Sequence, residues 1–332
     1  MLETKGSRKN PTQVAEIPCD IVTGFLGSGK TTLLRHVLDQ GLDKRRIAIL
    51  MNEVGDIGID GTAISGLEGF ESITELNSGC VCCSIDEFSF ANAYQQIIQE
   101  IQPDLVIIET TGLADPAPIL GRLESVGTSH DAVITVIDTE NYLTCAKENP
   151  VLVAQVKAAD FLVLNKTDLV SRNEYSEVER ELRSINPRAA IIRTCRGQVP
   201  MELLFATGAA RVRTGQASPG KSEIEPIEGH AHGVDSFSYR SQGALNLNDF
   251  RRLCESLPAQ VYRAKGIVDQ GAGEAPALFN FVCGRLDIEP LPALRGHGLG
   301  TQAVFIGTGI SDLEAEIIRN LQNCAQTKSY RR

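Results

Sequence analysis

A single short segment constrains the fold of this chain more than any other feature. Residues 24–31 read Gly-Phe-Leu-Gly-Ser-Gly-Lys-Thr and match the pattern G-x-x-x-x-G-K-[ST]. An apolar run, Cys19–Val22, precedes the segment, and a helical pattern, Thr31–Gln40, follows it. Glycines let backbone N–H groups surround an anion, and a helix N-terminus adds partial positive charge. The segment therefore predicts a phosphate-binding loop, although a plain glycine-rich turn before a helix is the alternative.

This loop also predicts which side chains contact a nucleotide. Lys30 is expected to reach the β- and γ-phosphates, and the Thr31 hydroxyl is expected to bind Mg²⁺. The other predicted contacts are the small residues of the loop and the threonine that follows it, namely Gly24, Gly27, Ser28, Gly29 and Thr32.

Apolar runs alternate with helical patterns through the first two thirds of the chain. The predicted strands are Cys19–Val22, Ile47–Met51, Leu105–Ile108, Val133–Ile137, Phe161–Leu164 and Ala190–Ile192. The helical patterns include Thr31–Gln40, Asp86–Ile101 and Glu174–Ser184. Short, continuous apolar runs are typical of strands covered on both faces. We therefore predict an α/β fold, a P-loop NTPase domain with a mostly parallel sheet over residues 18–210, after a disordered N-terminus, 1–17.

The remainder predicts a second, smaller unit. Residues 211–233 are rich in Gly, Ser, Pro and Glu without periodicity, which indicates a linker. An α+β C-terminal domain is expected over residues 234–325. Its predicted strands are Ser236–Arg240, Gln260–Val268, Ala277–Val282 and Thr301–Ile306, its helices are Leu247–Leu257 and Ser311–Leu321, and residues 270–276 form a hairpin loop.

A second motif indicates the base. Residues 165–168, Asn-Lys-Thr-Asp, follow a predicted strand, and the end of a strand is where α/β sheets bind ligands. Guanine presents two neighbouring N–H donors that the Asp168 carboxylate can accept, whereas adenine lacks that pair. Asn165 can bond the base edge or tie this loop to the phosphate loop, and the Lys166 stem can lie over the purine. An Asn/Asp turn is the alternative, and residues 193–196 are a weaker candidate to close over the base.

Two further loops are candidates to sense the terminal phosphate. Glu109 ends an apolar strand, so its carboxylate can bind magnesium-bound water, and Gly112 can donate its backbone N–H to the γ-phosphate. Such contacts exist only with a triphosphate, so the loop can act as a switch. The earlier segment 52–60 is also rich in glycine and acids, and Glu53 or Asp56 could contact a metal there. Ordinary loop chemistry is the alternative for both.

Three of nine cysteines fall within four residues. Cys80, Cys82 and Cys83 form a Cys-x-Cys-Cys cluster between the two switch candidates, and closely spaced thiolates suit Zn²⁺ or Cu⁺. Glu53, a water, a histidine or a partner's residue could complete the tetrahedron. Three buried or redox thiols are the alternative interpretation, and the remaining cysteines are expected to be reduced. His230 and His232 can collect metal in the linker or be solvated there.

Charge and hydropathy exclude other classes of function. The net charge of −10 disfavours broad contact with nucleic-acid phosphate. No apolar stretch is long enough to span a membrane, and the N-terminus lacks an apolar signal core. We expect a cytoplasmic protein without nucleic-acid or membrane partners.

Together these motifs resemble the CobW-type GTPases, relatives of the hydrogenase and urease nickel-insertion GTPases. The resemblance rests on GFLGSGKTT from Gly24, Asn-Glu-x-Gly from Asn52, Gly-Cys-x-Cys-Cys from Gly79, Glu-x-x-Gly-x-Ala-Asp-Pro from Glu109, Asn-Lys-x-Asp from Asn165, and residues 262–266 and 301–307. It implies Mg²⁺-GTP binding, slow hydrolysis with Lys30, Glu109 and Gly112 at the reaction, and zinc or cobalt binding at the three cysteines. It further implies delivery to a client metalloprotein and is compatible with a homodimer.

This chain departs from many members of that family in two ways. Its linker has two histidines rather than a long histidine-rich tract, and it contains no tryptophan. The leading hypothesis is a GTP-dependent metal chaperone. The alternatives are a non-enzymatic metal-responsive regulator that uses GTP as a structural ligand, and an ATP-dependent kinase or ATPase with incidental cysteines.

Overall fold

The first half of the chain forms a parallel sheet covered by helices. The computed structural model describes residues 17–39, 46–51, 72–75, 87–128, 130–146, 149–205, 234–271, 273–296 and 300–325. Within these ranges the sheet comprises β1 (Cys19–Thr23), β2 (Ile47–Met51), β3 (Ser72–Glu75), β4 (Leu105–Glu109), β5 (His130–Asp138), β6 (Phe161–Asn165) and β7 (Ala190–Arg193). The strand order is β3-β2-β4-β1-β5-β6-β7, and all neighbouring strands run parallel. The predicted α/β fold with a mostly parallel sheet is confirmed.

Helices cover both faces of this sheet. They are α1 (Lys30–Asp39), α2 (Glu87–Ile101), α3 (Ala117–Ser125), α4 (Tyr142–Ala146), α5 (Pro150–Ala158), α6 (Arg172–Ile185) and α7 (Met201–Leu204). Successive residues of a strand face opposite sides, so Ile107 joins one core cluster and Ile108 another. Helix α2 buries Phe90, Tyr94 and Ile97, whose spacing of four and three residues puts them on one helical face.

The predicted elements differ from the observed ones in a few places. Strand β5 begins at His130, three residues before the predicted start at Val133, because the His130 backbone pairs with Cys19 of β1. Strand β3 was not predicted, since Ser72–Glu75 is short and three of its four residues are polar. The linker 211–233 lies outside the described residues, as does nearly all of the predicted N-terminal tail, so the domain boundaries remain predictions.

The C-terminal part is a separate antiparallel sheet with helices on it. Its strands are β8 (Val234–Ser241), β9 (Val261–Val268), β10 (Ala277–Val282), β11 (Arg285–Pro290) and β12 (Thr301–Thr308), in the order β11-β10-β9-β12-β8. Two helices, α8 (Leu247–Glu255) and α9 (Glu314–Asn323), pack on it through Phe250, Leu253, Ile317 and Leu321. The predicted smaller α+β domain is confirmed, with β11 as an additional edge strand.

The two sheets meet through both apolar and charged contacts. Tyr262, Val282 and Cys283 pack into the core cluster that includes Leu33 of α1. Next to this apolar contact, Arg263 of β9 is buried against the parallel sheet. Across the described ranges, no helix combines the length and apolarity that a bilayer crossing requires.

Candidate nucleotide-binding site

The predicted nucleotide motifs lie at one edge of the parallel sheet. The phosphate loop follows β1, Glu109 ends β4, and Asn165 ends β6. Strand β1 is hydrogen-bonded to β4 on one side and to β5 on the other, and β5 is hydrogen-bonded to β6. The carboxyl ends of β1, β4 and β6 are therefore near one another. This is the edge at which α/β sheets bind ligands, as predicted.

The phosphate loop is held in a conformation that requires glycine. Gly29 has a φ of +102°, and a Cβ atom at this position would lie 2.3 Å from Nδ2 of Asn165. Lys30 begins α1, and its Nζ donates to the carbonyl oxygens of Gly24 at 3.0 Å and Phe25 at 3.4 Å. Lys30 is only 9% exposed and its Nζ bonds to the loop's own carbonyls, so the ammonium group lies inside the loop rather than in solvent. A phosphate in this loop would meet a fixed positive charge.

The hydroxyls of the loop differ in their exposure. The Ser28 hydroxyl is fully buried and has no hydrogen-bond partner among the described residues. Such an orphaned hydroxyl is costly unless a ligand or water satisfies it, which fits a phosphate oxygen. Thr31 is half-buried at the start of α1, whereas Thr32 is exposed. The donor set of the loop therefore fits a nucleotide phosphate.

The candidate switch after β4 touches the phosphate loop directly. Glu109 is 6% exposed at the end of β4, and the next residue, Thr110, donates to the Thr23 hydroxyl at 2.8 Å. A Cβ atom at Gly112 would lie 2.5 Å from the backbone nitrogen of Leu26. Only a glycine allows this approach, so the sequence keeps the Gly112 backbone in contact with the phosphate loop.

Asn165 connects three loops of the site. Its Nδ2 donates to the Ser28 carbonyl at 2.9 Å, and its Oδ1 accepts from the Gly197 backbone at 3.1 Å. The side chain is 3% exposed. Of the two arrangements considered for Asn165, the structure has the tie to the phosphate loop, and it adds the loop after β7.

The rest of the base motif presents a carboxylate to solvent. Lys166 has a φ of +61°, and its Nζ donates to Asp138 at 2.7 Å. Asp168 is exposed in the short 3₁₀ turn Thr167–Leu169, which the Thr167 hydroxyl fastens to the Thr194 carbonyl at 2.9 Å. Asp138, which sequence reasoning missed, ends β5 as Glu109 ends β4, and an apolar strand closing on a carboxylate was the available signal.

The predicted zinc or cobalt ligands cannot be placed in this site. Glu53, Cys80, Cys82 and Cys83 lie outside the described residues, as do His230 and His232. In the ranges that are described, no group of three or more histidine, cysteine or acidic side chains is arranged to hold a metal. Burial raises the pKa of Cys254 and of Cys283 to about 12, so these thiols stay protonated and are poor ligands. They act as small apolar residues, as expected.

Fold and motifs together define a P-loop protein, and comparison with known proteins identifies its family. Residues 18–193 match the CobW/HypB/UreG nucleotide-binding domain, and residues 234–325 match the cobalamin synthesis protein cobW C-terminal domain. The chain belongs to the CobW/HypB/UreG family and is a GTPase.

Similar proteins include several that are named for zinc. The zinc chaperone CobW of Sinorhizobium sp. is 29% identical, over 92% of this chain and 96% of that protein. The zinc-regulated GTPase metalloprotein activator 1 of Schizosaccharomyces pombe is 37% identical over 55% of this chain and 47% of that protein. Among solved structures, the Zn(II)-bound YjiA GTPase from E. coli is 21% identical, covers 94% of this chain and all of that one, and has a TM-score of 0.46.

Proposed function

We propose that this protein is a GTP-dependent metal chaperone that binds zinc, or cobalt, at Cys80, Cys82 and Cys83 and delivers it to a client metalloprotein upon GTP hydrolysis. The names of its relatives support the substrate class. The observation that supports the proposal is the register of strands β2, β3 and β4. The strand before the cysteine segment, β3, ends at the same level of the sheet as β4, which precedes the candidate switch.

That register involves the last residues of β2, β3 and β4. Met51 is paired with Glu75 on one side and with Glu109 on the other. Neighbouring strands are about 4.8 Å apart, so the end of β3 lies about 10 Å from Glu109. Cys80 follows Glu75 by five residues, which limits it to about 17 Å from that strand end. The described strand from which the chain continues to the three cysteines therefore ends at the nucleotide edge of the sheet.

In this proposal each loop residue has a role in binding GTP. Gly24, Gly27, Ser28, Gly29 and Thr32 contribute the phosphate cradle. Lys30 neutralises the β- and γ-phosphates, and Lys166 and Asp168 select and hold guanine. Asn165 ties their loop to the phosphate loop. Bound Mg²⁺ would be held by Thr31 and, through water, by Glu109, and would offset the phosphate charge.

Hydrolysis would release the cargo by removing one contact. With triphosphate bound, the Gly112 N–H donates to the γ-phosphate and Lys30 pairs with it, so the loop after β4 is fixed. After phosphate leaves, the loop loses that contact while the diphosphate stays held. The metal would be bound by the three cysteines, with Glu53 as a candidate fourth ligand. The affinity of this site for the metal then changes, because the cysteine segment and the loop after β4 both follow strands that end at the same edge of the sheet.

Zinc stoichiometry tests the assignment of the ligands. The protein is expected to bind one zinc per chain in the presence of a GTP analogue, measured by metal analysis after equilibrium dialysis. Replacing Cys80, Cys82 and Cys83 together by serine should abolish this binding. A matched control is Cys145→Ser, which changes a half-buried thiol elsewhere and should leave the stoichiometry unchanged. Undiminished zinc in the triple variant would refute the site.

A further inference from the structure

The loop that carries Gly112 is held from behind by a side chain outside the nucleotide motifs. Gln155 of α5 is 1% exposed, and its Nε2 donates to the carbonyl oxygens of Gly112 at 3.3 Å and Ala114 at 3.0 Å. An amide NH₂ group has two hydrogens, so the two carbonyls match its full donor capacity. These contacts join α5 to the candidate switch.

The position of Gln155 is itself fixed by the sheet. Its backbone carbonyl accepts from the Thr135 hydroxyl of β5 at 2.9 Å, and Thr135 is fully buried. The last carbonyls of a helix lack intrahelical partners, so this hydroxyl satisfies one of them. Since β5 is hydrogen-bonded to β1, Gln155 projects from a support that is continuous with the strand leading into the phosphate loop.

The contacts determine how the peptide units around Gly112 are turned. In a trans peptide unit, the C=O and N–H groups point in opposite directions. The Gly112 carbonyl is turned toward Gln155, so the Leu113 N–H is turned away from α5. The preceding unit is fixed as well, because the Thr111 carbonyl accepts from the Ala114 backbone at 3.1 Å. Gly112 thus has a defined peptide orientation on each side.

We propose that Gln155 is a positioning residue for the GTPase reaction. Its side-chain amide holds the Thr111–Ala114 turn in the orientation in which Gly112 meets the terminal phosphate. This inference rests on the proposed role of Gly112 and adds a residue that contacts neither nucleotide nor metal. Gln155 would hold the turn in the conformation that binds a triphosphate. Without Gln155, the ligand itself would have to order the turn, and its affinity would be lower.

The test compares nucleotide discrimination in two variants of Gln155 with a matched control. Gln155→Met keeps the length of the side chain without its donors, and Gln155→Glu turns acceptor oxygens toward two carbonyls. The control is Asn186→Asp. The Asn186 amide is also buried and donates to carbonyls at the end of α5 rather than to the switch: Val156 at 2.9 Å, Lys157 at 3.4 Å and Ala159 at 2.8 Å.

Affinities for a non-hydrolysable GTP analogue and for GDP are measured by competition with a fluorescent nucleotide. Gln155→Met should weaken binding of the GTP analogue about tenfold, a change of the size expected when buried hydrogen bonds are lost. Binding of GDP should stay within about twofold of the wild type. Gln155→Glu should show at least the same change, and single-turnover hydrolysis should slow in both. Asn186→Asp should lower the melting temperature without altering the ratio of the two affinities.

Three results would overturn the inference. The Gln155 variants could bind both nucleotides as the wild type does, or lose both equally. They could also fail to fold while Asn186→Asp folds, which would make Gln155 a structural residue of the core. If the wild type itself does not distinguish the analogue from GDP, the proposed role of Gly112 fails first, and this inference falls with it.

Discussion

Arg263 of the C-terminal sheet donates a hydrogen bond to Asp131 of the parallel sheet, and both side chains are buried, at 2% and 6% exposure. Lys265 and Asn280, also from the C-terminal sheet, donate to the same carboxylate at 2.5 Å and 2.7 Å. Burial alone would raise the pKa of Asp131, but the Lys265 and Arg263 charges outweigh it and hold the pKa at about 2. A buried charge needs partners of opposite charge. The carboxylate of the parallel-sheet domain and the cations of the C-terminal domain therefore neutralise each other across the interface.

Removing Arg263 should therefore cost far more than removing an exposed arginine. Arg263→Met leaves Asp131 buried with less compensation, and breaking such a pair costs about 3–5 kcal/mol. The free energy of unfolding in urea measures the loss. The control Arg252→Met removes an exposed pair with Asp249 and should cost less than about 1 kcal/mol. Equal losses in the two variants would show that the interdomain pair is not important for stability.

The same interface predicts a loss of stability in mild acid. Burial, aided by the Arg285 guanidinium and partly opposed by Asp131, lowers the pKa of His130 from 6.5 to about 4. Between these values the unfolded chain binds a proton that the folded chain does not, so stability falls as the pH decreases from 6.5 toward 4. Urea midpoints at pH 7 and pH 5 measure this dependence.

Substituting the histidine tests whether it is the source. His130→Gln should reduce the difference between the midpoints at pH 7 and pH 5, whereas the control His36→Gln, which changes a half-buried histidine of α1, should retain it. A His130→Gln protein with the full wild-type pH dependence would assign the effect to other groups.

Asp168 is expected to determine the choice of base. Asp168→Asn replaces the carboxylate that we propose accepts two guanine N–H groups. Since hydrogen bonds to a charged group are stronger than neutral ones, GTP affinity should fall about 100-fold. Weak ATP binding should be unaffected, so the ratio of GTP affinity to ATP affinity should fall in a competition assay. Asp312→Asn, in the C-terminal domain, is the control. Unchanged GTP and ATP affinities in Asp168→Asn would favour an ATP-dependent enzyme.

Gly29 should tolerate no side chain. Gly29→Ala introduces a methyl group 2.3 Å from the Asn165 amide at a φ of +102°, so Asn165 must move and its tie to Ser28 is lost. Nucleotide affinity should fall at least about tenfold. The matched control is Gly121→Ala in α3, where the methyl group meets nothing within 4 Å and should stabilise the protein by up to about 1 kcal/mol. Normal nucleotide binding by Gly29→Ala would contradict the described loop.

Local signals in the sequence were sufficient for the phosphate loop and most of the sheet. Strands such as Phe161–Asn165 are continuous apolar runs, so their burial and their parallel neighbours follow from composition and spacing. Arg285–Pro290 was missed because charged residues alternate with Leu286 and Ile288 along an edge strand that looks like a polar loop. The observed bounds of the confirmed strands differ from the predicted bounds by a few residues, because polar side chains at the strand ends interrupt the apolar pattern.

Long-range partners could not be predicted in the same way. Gln155 stands in an apolar helix without any motif, and its contact with Gly112 spans 43 residues. Arg263 and Asp131 are separated by 132 residues, and nothing near either one indicates a buried pair. Such contacts depend on how the helices and strands pack. The conformation of the motif residues, in contrast, depends mainly on the neighbouring residues in the sequence.

The dependence of zinc affinity on the bound nucleotide tests the central claim most directly. Zinc affinity is measured by competition with a chromophoric chelator, with the protein saturated either with a non-hydrolysable GTP analogue or with GDP. Zinc should bind more tightly with the analogue, by about 5- to 150-fold, the usual range of coupling between two sites. The same zinc affinity in both nucleotide states would contradict it.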